Sequence, residues 1–241
     1  MDNGNNLLIN YGLSACPAIR EMMLPFPTQI KISDDNELFL MTCDDQTGKK
    51  VNILSKNSNL QAYQKLIEEI YEYSNFFLCV RNIRLDKYIP CVKTNYGFYY
   101  KFKAETYKIE SFVSAIAPET KYSQELADIF REQKKISVMN NNLRNWLLYD
   151  AKTISVTKEE ELAGFIVLSK YYNDFFINFI YVREPYRKHG IGTELLKYAS
   201  NFVYKNGCNY LYGMSPYKAR RFYKTLNIES SEGWILWKKK L

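Results

Sequence analysis

Between Tyr181 and Leu196 the chain reads YVREPYRKHGIGTELL. Arg187, Lys188 and His189 stand directly ahead of Gly190, Ile191, Gly192 and Thr193, in the spacing R-x-x-G-x-G. A helix that starts at Gly192 or Thr193 turns unpaired N–H groups and the positive end of its dipole back into this loop, so it can hold a phosphate group. Without a Cβ at Gly190 and Gly192 a bulky diphosphate can approach the backbone, while Arg187 and Lys188 supply full positive charge. His189, the chain's single histidine, is either one more donor there or an exposed loop residue. The glycine spacings of the dinucleotide fingerprint G-x-G-x-x-G and of the G-x-x-x-x-G-K-[ST] loop are both missing. The alternative is a solvated strand-to-helix connection whose glycines serve the turn alone.

The flanking residues supply the elements such a loop needs. Ahead of it, Thr153–Val156, Leu162–Tyr171 and Phe175–Val182 read as three strands of an antiparallel meander, with KEEE and YND at the turns. Behind it, Ile191, Leu195, Ala199, Phe202 and Val203 are spaced for the buried face of a helix over about 191–206, which Gly207 stops. A strand in CNYLYGM, a helix over Tyr217–Leu226 and a strand in GWILWKK complete the chain. Upstream lie a possible strand in YKIESFVSAI and helical segments within Tyr122–Lys135 and Asn141–Leu148.

The first 104 residues read as a mixed α/β half without a motif of their own. Glu37–Thr42 and Lys50–Leu54 are strand-like around the turn DDQTGK, Leu60–Tyr73 has helical spacing, and strand-like FFLCV and GFYYKF follow.

The 241 residues are 46% hydrophobic, enough to bury a proper core. No run approaches the roughly 20 apolar residues of a membrane span, and the amino terminus lacks a signal-like apolar core. A soluble, cytoplasmic protein is expected, with no membrane partner. The five cysteines are scattered and odd in number, which indicates neither a disulfide framework nor a metal site. Of the formal charge of +7, residues 1–104 carry +1 (12 basic, 11 acidic) and the remainder carries +6, which favours an anionic ligand. The positive residues are interspersed with acids and no nucleic-acid motif is present, so nucleic acid is not the expected partner.

VREPYRKHGIGTELL resembles the acyl-CoA-binding motif of the GNAT superfamily of N-acetyltransferases, and the later ARRFYKTLNI resembles that family's second conserved helix, usually A-x-x-F-Y-x-x-L-G-F. The resemblance covers about Glu105–Leu241. It implies an α/β (α+β) fold: a GNAT acyl-CoA N-acyltransferase domain over 105–241 with a mixed, mainly antiparallel sheet. A smaller α/β domain precedes it over 1–104, shaping the acceptor site or forming a degenerate second copy.

The implied co-substrate is acetyl-CoA, with no metal, and the implied acceptor is a small-molecule or peptide amine. Arg187 to Thr193 would hold the diphosphate, the backbone of Tyr181 and Val182 would pair with the pantetheine arm, and Ala219 and Phe222 would complete the cofactor site. Val182 N–H would stabilise the oxyanion and Tyr223 would protonate the departing thiolate. With ordinary pKa values near 10 for the phenol and 8.5 for a thiol, that transfer is slightly uphill. Tyr223 read without the family is an apolar position of an amphipathic helix.

Three departures from the family pattern stand out. The strand Phe175–Val182 carries no carboxylate to act as base, and the nearest acids, Asp174 and Glu184, read as turn residues. Pro216 stands where the family often has a pantetheine-binding asparagine. Asn227 replaces a capping glycine, which a left-handed Asn can do. The basic run KARRFYK is read as a solvated face, or else as lying near the 3′-phosphate of coenzyme A.

The layout and the ending SSEGWILWKK are similar to two-domain dTDP-fucosamine acetyltransferases, which would make the acceptor an amino sugar nucleotide. The alternative is a non-catalytic acyl-CoA-binding sensor or interaction module. A homodimer is compatible with either.

Overall fold

The computed structural model describes residues 28–35, 37–45, 48–55, 57, 59–80, 83–108, 114–116, 151–158, 161–171, 173–228 and 230–240. The helical segments expected within Tyr122–Lys135 and Asn141–Leu148, half of YKIESFVSAI, and parts of both meander turns lie outside these residues.

By packing, the described residues up to Tyr100 group with those from Met214 onward, and Lys101–Gly213 form a second compact unit. The division expected at 104/105 assigns residues from 214 onward to the second domain instead.

In the first unit β1 (Thr28–Ile32), β2 (Leu38–Asp45), β3 (Gly48–Ser55), β4 (Phe76–Val80), β11 (Ser230–Lys239) and β5 (from Cys91) lie in the order β1-β2-β3-β4-β11-β5. All these pairings are antiparallel except β3 with β4. Helix α1 (Gln64–Tyr73) crosses between the two parallel strands, as a parallel connection requires. Its inner residues Ile67 and Ile70 close on Leu38, Leu40, Val51, Ile53, Phe77 and Trp237, all buried. Lys239 of β11 donates to the Tyr71 and Glu72 carbonyls at 2.9 and 3.2 Å, a cation at the negative end of α1.

The second unit holds β6 (Ser114–Ile116), β7 (Lys152–Lys158), β8 (Glu161–Tyr171), β9 (Asp174–Val182) and the start of β10 (Tyr210–Pro216), ordered β10-β9-β8-β7-β6. The meander β7-β8-β9 is antiparallel as expected, and β10 joins β9 in parallel. Helix α2 (Ile191–Lys205) makes that parallel connection and buries Ile191, Leu195, Ala199 and Val203. Gly207 follows it at φ +71, the left-handed stop that the sequence suggests. The short helix α3 (Arg220–Lys224) follows a 3-10 turn over Tyr217–Ala219. The sheets are mixed and mainly antiparallel, as the family resemblance implies.

Candidate active site

The charged loop is held at its base by β8. Tyr186 donates its hydroxyl hydrogen to Glu161 at 2.9 Å, and Arg183 lies 3.5 Å from the same carboxylate. Arg183 N–H bonds the Ala163 carbonyl at 2.9 Å. Successive strand residues turn their backbone groups to opposite edges, so Val182 presents its N–H and C=O away from β8.

On that outward edge the ladder with β10 covers only Phe175–Ile177 against Leu211–Gly213. Residues Asn178–Val182 run on beyond it. Tyr181, by the same alternation, turns its amide toward β8, so the outward backbone here belongs to Ile180 and Val182. Tyr181 offers its ring instead, 5.8 Å beneath the Arg187 guanidinium.

Arg187 folds back and donates through Nε to the Val182 carbonyl at 3.0 Å. Sequence reasoning assigned this side chain wholly to the diphosphate; one of its five N–H donors serves the strand end instead. Arg187, Lys188, His189 and Gly190 are exposed. Lys188 and Gly190 both take positive φ, +67 and +80. A Cβ on Gly190 would meet nothing within 4 Å, so the space over it is open.

Helix α2 begins at Ile191, where the apolar spacing places it and a residue or two ahead of Gly192 or Thr193, and among the described residues no side chain caps its start. Its first internal bond runs from Glu194 N–H to Gly190 C=O at 3.1 Å. The N–H groups of Ile191, Gly192 and Thr193 are therefore the orphan donors of this helix. An uncapped helix start with open space above it fits a diphosphate.

What fixes this helix start in place was not legible in the loop itself. The Ile191 side chain is 3% exposed. A Cβ on Gly164 of β8 would come within 2.8 Å of the Tyr181 carbonyl oxygen and 3.3 Å of Ile191 and Leu195 methyl carbons. Glycine at 164 thus sets the close approach of α2 to the sheet.

In the other unit, Ala219 precedes α3 as its N-cap, Phe222 is half-buried and Tyr223 is 3% exposed. The Tyr100 hydroxyl donates to the Tyr223 oxygen at 3.0 Å, and the Ser215 hydroxyl also bonds Tyr223. The Tyr223 ring is clamped by Tyr100 at 4.3 Å between centroids and by Phe98 and Phe222 edge-on at 5.7 and 5.1 Å.

Burial raises the Tyr223 pKa above its ordinary value, and the bonds from Tyr100 and Ser215 pull it back only in part. Full proton transfer to a thiolate is thus more uphill than the unperturbed values suggest. A hydrogen bond to sulfur is what this phenol can best supply. Burial likewise pushes the Tyr100 phenol well up. Tyr100 carries no sequence signal as a partner of Tyr223, because 123 positions separate the two phenols.

The remaining candidates are spoken for. The Asp174 carboxylate accepts the N–H groups of Asn209 and Tyr210 at 3.1 and 2.8 Å, which fixes the start of β10. Glu184 is exposed in the first turn of a 3-10 segment. Asn178, one residue past the end of the β9–β10 ladder, donates to Ser169 at 2.5 Å, while its buried side-chain carbonyl meets no donor among the described residues. Asn227 adopts φ +54, the left-handed value that its capping position needs.

The model of the acetyltransferase (GNAT) family matches residues 120–227. No curated protein matches the chain. Among solved structures, a GCN5-related N-acetyltransferase from Kribbella flavida superposes with a TM-score of 0.66 at 9% identity, covering 94% of each chain. One from Sphaerobacter thermophilus gives 0.60 at 10% identity, over 86% of this chain and 78% of that one. A tandem GNAT protein from the clavulanic acid biosynthesis pathway gives 0.55 at 10% identity, over 89% and 84%. At these identities the likeness is one of fold, and it spans most of the chain. The architecture is the GNAT fold. Among the described residues no helix is long and apolar enough to cross a membrane.

Proposed function

We propose that this chain is an N-acetyltransferase that moves the acetyl group of acetyl-CoA directly onto a primary amine within a ternary complex. The observation that carries the reading is the uncapped start of α2 under open space, joined by one loop to a strand end whose Val182 amide faces out of the ladder. The match of the acetyltransferase family to residues 120–227 supports it.

In this reading the amides of Ile191, Gly192 and Thr193 hold the diphosphate, with Lys188, His189 and the terminal nitrogens of Arg187 around them. The outward backbone at Val182 aligns the pantetheine arm. Its N–H, fixed by the strand, meets the carbonyl oxygen as negative charge develops, which costs no reorganisation. The neutral amine attacks the thioester carbon; the C–S bond breaks and the proton lost by the amine leaves through solvent. Tyr223 donates a hydrogen bond to the departing sulfur. Ala219 and Phe222 flank it on α3.

The acceptor is an amino group on a small molecule or peptide, with an amino sugar nucleotide as the class we favour. A thiol-release assay with nucleotide amino sugars, polyamines and peptides tests the reading. Turnover with any amine, lost on Tyr223→Phe, supports it.

One observation favours a second reading, a module that binds acyl-CoA without catalysis. Beyond its first residue β9 carries no carboxylate, and that residue, Asp174, is consumed in holding β10. Micromolar coenzyme A binding with no acetylated amine, and a Tyr223→Phe variant indistinguishable from the parent, would establish that reading instead.

A further inference from the structure

The first unit contains a pocket of about 640 Å³ that none of the roles above uses. Its walls are β5, β11 and the turn at Tyr217, with Lys93, Tyr96, Phe98, Tyr217, Arg220 and Trp234 among the lining residues. The concavity arises where the β5–β11 register slips between Ser230 and Gly233, both of which line it. That volume is in the range of sites for small molecules of sugar or sugar-nucleotide size.

The chemistry of the walls is one-sided. Lys93 and Arg220 contribute two positive charges, and none of the described lining residues is an acid. Both cations are held in place by aromatic faces: Lys93 Nζ lies 4.6 Å from the Tyr96 ring centroid and the Arg220 guanidinium carbon 5.6 Å from that of Tyr217. The two tyrosines stack on each other at 5.3 Å, with 45% and 48% of their surface exposed. This ladder of cation, ring, ring and cation keeps the two charges at fixed places on the pocket rim.

Trp234, also a lining residue, is 4% exposed, and its indole N–H meets no acceptor among the described residues. A buried donor without a partner is costly, and a ligand oxygen would relieve it. A Cβ on Gly97 would overlap this indole and the Ser215 carbonyl oxygen, so the ring is fixed against bare backbone.

The pocket also adjoins the phenol assigned to the leaving group. Phe98 lines it and packs edge-on against Tyr223, 5.7 Å between centroids. An acceptor seated there lies one ring away from Tyr223.

We propose that this pocket binds the acceptor, and that the acceptor is an amine carrying a phosphate group: Lys93 and Arg220 take the phosphate and Trp234 N–H takes a ligand oxygen. This deepens the acetyl-transfer reading and rests on it. Two cations among the described lining residues disfavour polyamines and basic peptides by like-charge repulsion, and the same field favours the neutral over the protonated form of a bound amine.

The test uses the full chain saturated with coenzyme A and titrated with inorganic pyrophosphate by calorimetry. Pyrophosphate is expected to bind, with affinity falling roughly tenfold or more in the Lys93→Ala/Arg220→Ala variant. The fall is expected again in Trp234→Phe, with coenzyme A affinity unchanged in both as the measure of intact folding. In kinetics, glucosamine 6-phosphate and a nucleotide amino sugar should exceed glucosamine and spermidine in kcat/KM, and the double variant should erase that preference.

Failure of pyrophosphate to bind the CoA-saturated chain overturns the proposal. So does a double variant that weakens coenzyme A more than dephospho-coenzyme A, since the cations then serve the 3′-phosphate. Either result leaves acetyl transfer standing, whereas absence of coenzyme A binding by the parent chain defeats that reading first.

Discussion

Burial decides what the Tyr223 phenol can do for a leaving thiolate. Its pKa is raised by desolvation and moderated by two hydrogen bonds, so it remains protonated through the neutral range and acts as a donor. Tyr223→Phe keeps the ring and its aromatic neighbours, and should lower kcat by roughly 10²-fold, the worth of one aimed donor, with little change in KM for acetyl-CoA. Tyr100→Phe leaves Tyr223 with Ser215 alone and should lower kcat by roughly 2–12-fold, the worth of one ordinary hydrogen bond. Steady-state kinetics on both variants check the order; equal losses would mean that Tyr100 acts by more than its bond to Tyr223. Of this pair only Tyr223 was legible in the sequence, through the ARRFYKTLNI pattern. Tyr100 reads as one more aromatic in a strand, and its meaning comes from a partner 123 residues away.

Among the elements, the start of α2 was the most legible, because charge, glycine and apolar spacing all point to the same turn. Two glycines flank that helix in the left-handed region, Gly190 at φ +80 and Gly207 at φ +71, and each has open space where a Cβ would go. Alanine at either position should therefore cost a similar amount of stability, about 1–2 kcal/mol, from backbone strain alone. Only Gly190→Ala should also weaken coenzyme A binding. Thermal melts paired with calorimetry separate the two effects, and equal coenzyme A affinity in both variants would remove the helix start from the site. Gly164 was illegible for a physical reason: in ELAGFIV it is a small residue inside a strand, and its use appears only when α2 packs over it. β5 was read too short, from GFYYKF, because its first half CVKTNY is mostly exposed and lacks an alternating pattern.

For the molecule as a whole, the arrangement of the chain was the least legible feature. Periodicity says that GWILWKK is a strand but not which strands it joins; β11 pairs with residues of β4 and β5 that lie 130 or more positions upstream. The same burial that builds these units makes their stability sensitive to base. Tyr100, Tyr223 and Cys79 have pKa values raised by burial, and Cys91 is pushed up to about 12. The folded chain therefore keeps protons that the unfolded chain releases above about pH 9–10. This contribution is complete at neutral pH and is lost as pH rises through the folded-state values. Tm should fall steeply above about pH 10, and less steeply in Tyr100→Phe; a flat profile would contradict the buried placement of these groups. Whether α2 holds the diphosphate of an acyl carrier is read from calorimetric titration of the full chain with coenzyme A and with pantetheine, which lacks the diphosphate and the 3′-phosphoadenosine. Micromolar affinity is expected for coenzyme A, and binding weaker by roughly 100-fold or more for pantetheine, from the loss of charge-assisted hydrogen bonds. Equal affinity for the two, or no binding of coenzyme A, would contradict it.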